Sequence, residues 1–89
     1  MVEEAIRYVH LAVASTAINR SGESKLHRVT INDPASGSAL TISEGSTASG
    51  GETVGVLDCN NIGTYEYGVT LSGLTVSLEG TADVTVVYQ

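Results

Sequence analysis

The feature that most constrains this chain is a period-two alternation of apolar and polar residues, broken by turn residues every 8–12 positions. That period sends successive side chains to opposite faces of an extended strand, one toward a core and one toward water. Val9, Leu11 and Val13 alternate with Tyr8, His10, Ala12 and Ala14, which predicts a first strand over roughly 7–17. Ala and Leu also permit a helix over 3–18, but the odd positions alternate cleanly and no N-capping residue precedes them. Arg20-Ser21-Gly22-Glu23-Ser24 reads as a polar turn. Leu26, Val29 and Ile31 mark a second strand whose parity slips between 26 and 29, as a β-bulge produces. In Asp33-Pro34-Ala35-Ser36-Gly37-Ser38, Asp opens a hairpin loop, Pro presets φ and Gly accepts positive φ.

Leu40 and Ile42 belong to a third strand, followed by the low-complexity run Glu44 to Thr53, which predicts a mobile surface loop. Val54 and Val56 begin a fourth strand that ends in the turn cluster Asp58-Cys59-Asn60-Asn61. Tyr65, Tyr67, Val69 and Leu71 share one face of a fifth strand, opposite Thr64, Glu66 and Thr70. Ser72-Gly73 then turns the chain into Leu74, Val76 and Leu78, and Glu79-Gly80-Thr81 turns it into Val84, Val86 and Tyr88. About seven short strands with tight connections predict an all-β domain, a single antiparallel β-sandwich or jelly-roll-like barrel spanning residues 1–89, with 1–20 as a docking segment.

A chain of 89 residues has little room for a core, so covalent staples matter. The single cysteine, Cys59, excludes an intrachain disulfide and the multi-cysteine metal frameworks. Trp and Phe are absent, which leaves 11 Val, 7 Leu, 5 Ile and 8 Ala to fill the interior. No run approaches the ~20 apolar residues of a membrane helix. Met1-Val2-Glu3-Glu4 is too acidic to open a signal peptide, so the Asn19-Arg20-Ser21 sequon has no glycosylation context.

Charge is distributed unevenly. All four basic residues, Arg7, Arg20, Lys25 and Arg28, lie in the first 28 positions, whereas residues 29–89 hold seven acids and no Lys or Arg. The net charge of −6 excludes nucleic-acid binding, which needs cations to displace counterions, and docking on anionic membranes for the same reason. The asymmetry reads either as a solvated acidic surface or as a polar molecule with a docking end and a free end.

Catalytic chemistry finds little footing. Cys59 or a Ser would need His10 or His27 beside it as a base, and no G-x-S-x-G or comparable signature occurs. Cys59 sits in a polar turn with no nearby cation to stabilise a thiolate. Asp33, Asp58 and Asp83 occupy turns, where Ca²⁺ favours carboxylates and carbonyls, but they form no dense D-x-D-x-D cluster. The expectation is therefore a chain that is not an enzyme, with no cofactor and no metal. Tyr65 and Tyr67 read as rings capping the core, or as a subunit interface, where Tyr is enriched.

Leu26-His27-Arg28-Val29-Thr30-Ile31-Asn32 is followed by an Ala/Ser/Gly turn and a Leu-Thr-Ile strand. Then come Gly63-Thr64-Tyr65-Glu66-Tyr67-Gly68-Val69, Leu74-Thr75-Val76 and Thr81-Ala82-Asp83-Val84-Thr85-Val86-Val87-Tyr88. Over about residues 18–89, this order resembles small bacteriophage virion β-sandwich proteins of the capsid decoration (cement) or head-fibre type. The N-terminal segment, Pro34 and Gly50-Gly51 depart from their pattern. The resemblance implies a non-enzymatic virion component, made in the host cytoplasm and placed on the capsid surface, that binds the major capsid protein. A symmetric homo-oligomer, with a trimer favoured, suits a small chain on a shell axis. The basic residues Arg7, Arg20, Lys25 and Arg28 are the expected capsid-docking set, and Tyr65 and Tyr67 the expected subunit interface. The alternative is a tail or fibre module with adhesin-like glycan or receptor binding.

Overall fold

Two strands far longer than the alternation predicts, one of 19 residues and one of 17, organise the fold. The computed structural model describes residues 6–45 and 52–89. Its strands are β1 (Arg7–Leu11), β2 (Ser15–Asp33), β3 (Ala39–Glu44), β4 (Glu52–Asp58), β5 (Gly63–Glu79) and β6 (Asp83–Tyr88). They form one antiparallel sheet in the order β1-β6-β2-β5-β3-β4. The expected loop from Glu44 to Thr53 narrows from both sides, because Glu44 pairs with Glu52 and Ser43 with Thr53; residues 46–51 of that loop lie outside the described residues.

β2 and β5 pair along most of their length, but different neighbours flank their two halves. The C-terminal half of β2, from Leu26, pairs with β6, and the C-terminal part of β5, from Thr75, pairs with β3. Leu26, Val29, Ile31, Val84 and Val86 of one half join Leu40, Ile42, Leu74, Val76 and Leu78 of the other in a single buried cluster. No helix occurs among the described residues, and side chains from both halves of the sheet share that one cluster. Tyr67 of β5 marks the contact: a Cβ built on Gly55 of β4 would lie 3.4 Å from its hydroxyl oxygen.

The chain bends where its register breaks. β2 shifts between Ala17 and Arg20 and again between Ser21 and Ser24, opposite Leu71–Leu74 of β5. Ile18 (φ 78°) and Asn19 (φ 47°) adopt the left-handed region, uncommon for Asn and rare for a β-branched residue, and Gly22 (φ 86°) follows. Gly73 answers from β5, where a Cβ would stand 2.8 Å from the Gly45 Cα and 2.9 Å from the Arg20 carbonyl oxygen. Only glycine permits that approach.

Four expectations change accordingly. The strand expected over 7–17 is two, because Ala12–Ala14 leave the sheet and Val13 is exposed. The turn expected at Arg20–Ser24 is bulged strand, and Ser72-Gly73 continues β5 where the register with β2 shifts. The strands number six among the described residues, two of them long, and form one continuous sheet with β1 and β4 as its ends. The turns at 34–38, 59–61 and 80–82, the antiparallel all-β class and the shift after Leu26 agree with the sequence.

Candidate functional site

Cations separated by up to 21 positions in sequence meet at the C-terminal end of β6. Arg7 pairs with Tyr88 from one side, and Arg28 with Val87 from the other. Lys25 and Gln89 exchange two backbone hydrogen bonds of 2.8 Å, each N–H donating to the other's carbonyl. The Arg20 guanidinium lies over the Tyr88 ring, 5.9 Å from its centroid, within cation–π range. His27 Nε2 and Gln89 Oε1 are 3.1 Å apart. All four residues of the expected docking set therefore surround Val87–Gln89.

They are not equivalent. Arg7, Lys25 and Arg28 are exposed, whereas Arg20 is half-buried and pairs with the fully buried Leu74. Arg28 Nε also forms an ion pair with Glu66 Oε2 at 3.3 Å, an exposed pair worth about 0–1 kcal/mol.

Acids gather at the other end of β6. Asp33 pairs with Asp83, and Ala39 pairs with both Asp58 and Glu79. Ser38 ties this end together. Its hydroxyl donates to the Glu79 carbonyl and accepts from the Ala82 N–H, and its backbone bonds Ala35 and Cys59. The acidic end contains no Lys or Arg. The charges are not wholly segregated, because Glu44 and Glu52 face each other at the far ends of β3 and β4.

On the outward face, His10 Nε2 lies 2.7 Å from Asp83 Oδ1, and Asn32 Nδ2 donates to the same oxygen at 2.9 Å and to Thr85 Oγ1 at 3.0 Å. These bonds stitch β1, β6 and β2 together. Asn32 first, and His10 after it, hold the Asp83 carboxyl below the ordinary carboxylate range. No nucleophile contacts His10 among the hydrogen bonds of the described residues, and no group of three or more His, Cys, Asp or Glu there could hold a metal ion.

Cys59 is fully buried beside Leu57, whose carbonyl lies 3.6 Å from its sulfur. Burial pushes its thiol pKa up, and the Asp58 charge adds to that. Tyr65 and Tyr67 share the inner face of β5 with Val69 and Leu71, as the register with Val29, Leu26 and Ser24 requires. Tyr67 packs against the core, and burial raises its pKa; Tyr65 remains 37% exposed. The sequence held no signal for the convergence on β6, since the cations and residues 87–89 lie at opposite ends of the chain. Compared with known proteins, the chain matches no family and no curated sequence.

Proposed function

We propose that this chain is a non-enzymatic structural protein of a bacteriophage virion, a capsid decoration (cement) protein that binds the major capsid protein on the assembled head. The observation that carries the reading is the gathering of Arg7, Arg20, Lys25 and Arg28 around Val87–Gln89 in a chain of net charge −6. A localised positive end on an acidic protein steers and orients its encounter with an acidic surface. Arg7 and Lys25, exposed and at the edge of the cluster, carry most of the docking. The resemblance of the sequence over about residues 18–89 to small phage virion proteins is what suggests a phage particle as that surface.

Co-sedimentation with expanded heads of the phage that encodes the chain tests the reading, with copy number taken from the pellet. Saturable binding at many copies per particle is expected, weakened by Arg7→Glu with Lys25→Glu at low salt and less sensitive to added salt in that variant. Absence of binding, or only a few copies per particle, overturns it. The second reading, a tail or fibre module binding glycan or a receptor, is favoured by the Tyr8 ring, 71% exposed on β1, together with Tyr65. Binding on a glycan array that is lost in Tyr8→Ala would establish it.

A further inference from the structure

The sheet face turned away from the core carries a lattice of polar side chains with one ring at its corner. Across β1, β6, β2 and the first part of β5, one row of facing residues is Tyr8, Val87, Arg28 and Glu66. The next row is His10, Thr85, Thr30 and Thr64. Hydrogen bonds hold the lattice sideways: Thr30 to Thr64, Asn32 to Thr85 and Asp83, and His10 to Asp83. Groups fixed in this way lose little freedom when a ligand arrives. Their bonding capacity is not used up. Among the described residues, no hydrogen bond reaches the second Asp83 carboxylate oxygen or the Asn32 side-chain carbonyl oxygen. Two acceptors thus stand side by side with room for hydroxyl donors. At the corner, Tyr8 is 71% exposed, with the half-buried Val87 beside it.

An aromatic ring next to fixed acceptors suits a molecule with an apolar side and hydroxyls around its rim, which is the chemistry of a pyranose. Its C–H face meets the electron-rich face of the ring, and adjacent hydroxyls donate to paired acceptors. Other partners fit worse. A protein interface needs an apolar centre, and away from the Tyr8 corner this face is polar. A polyanion would meet Arg28, which already pairs with Glu66. Val87, level with Tyr8, and Asp83 lie four residues apart on β6, about 13 Å, more than one hexose spans. We infer that this face binds a neutral oligosaccharide lengthwise along β6. One unit stacks on Tyr8 beside Val87, and another donates hydroxyls to Asp83 and Asn32. The Asp83 carboxylate disfavours sialylated and sulfated sugars. This site rests on the glycan-binding reading above and narrows it, because Tyr65 lies on the inner face and takes no part.

The full-length protein on an array of neutral hexose oligosaccharides and their sialylated counterparts tests the site, with titration calorimetry on each hit. Binding to neutral oligosaccharides is expected, and weaker binding to the sialylated ones. Tyr8→Ala and Asn32→Ala are each expected to weaken it by about tenfold or more, whereas Tyr65→Ala leaves it unchanged. Circular dichroism checks that the variants fold. Should Asn32→Ala not fold, Thr85→Val takes its place, since it removes the hydroxyl that positions Asn32. Hits that survive Tyr8→Ala or the Asn32 variant, that vanish in Tyr65→Ala, or that are as tight for sialylated sugars overturn this site and leave glycan binding standing. An array without hits overturns both.

Discussion

Two single positions show how little freedom this backbone has. A Cβ added at Gly73 would stand 2.8 Å from the Gly45 Cα and 2.9 Å from the Arg20 carbonyl oxygen, so Gly73→Ala forces main-chain atoms apart. A loss of about 1–3 kcal/mol in urea unfolding is expected. Gly37→Ala is the useful comparison: its φ of 76° strains an added Cβ, but nothing lies within 4 Å of it. Its cost should stay near the ~1–2 kcal/mol of a left-handed residue. Asp83 governs a pH effect. Its folded pKa is depressed, so its contribution to stability is fully present above the unfolded carboxylate pKa and is lost as pH falls through the lowered value. Asp83→Asn should therefore lower stability at neutral pH and flatten the acid limb of the stability-versus-pH curve, the variant and the parent converging as pH falls through the lowered value. An acid limb identical to the parent's would rule out this role for Asp83.

Ser38 does at the element level what a disulfide does in many other small domains. One hydroxyl joins the β2–β3 turn to the end of β5 and the start of β6, donating to Glu79 and accepting from Ala82. Ser38→Ala leaves both backbone groups to find other partners, and a loss of about 1–3 kcal/mol is expected by thermal or urea denaturation. The same turn illustrates what could be read in the sequence. Asp33–Ser38 combines Pro, Gly and Asp where the chain truly reverses, so its composition and its geometry agree. Ser21-Gly22 and Ser72-Gly73 carry similar composition but stay within strands, because glycine also serves bulges and close backbone approach. Local chemistry cannot separate these uses; only the facing strand can. The docking residues Arg7, Arg20, Lys25 and Arg28 were visible as a charge asymmetry. Their meeting around Tyr88 was not, because it depends on β6 inserting beside strands made from the other end of the chain.

At the scale of the whole molecule, the two halves of the sheet share one core, so neither half can lose its packing alone. Tyrosine fluorescence reports mainly the half containing Tyr8, Tyr65, Tyr67 and Tyr88. The buried Cys59 thiol follows β4 and reports the other half. Their urea transitions should coincide, with Cys59 reacting with an aromatic disulfide reagent only as tyrosine emission changes. Separate midpoints would mean that the halves are independent. The strand order adds a consequence in time. Among the described residues β1 is bonded only to β6, and β6 lies between β1 and β2. As the chain emerges from the ribosome, β1 waits for β6, made more than seventy residues later, before it can join the sheet. In the finished protein the same arrangement makes β6 a keystone. A single event that withdraws it sets β1 loose and uncovers the edge of β2, opening a slot into which the last strand of a neighbouring chain could be exchanged.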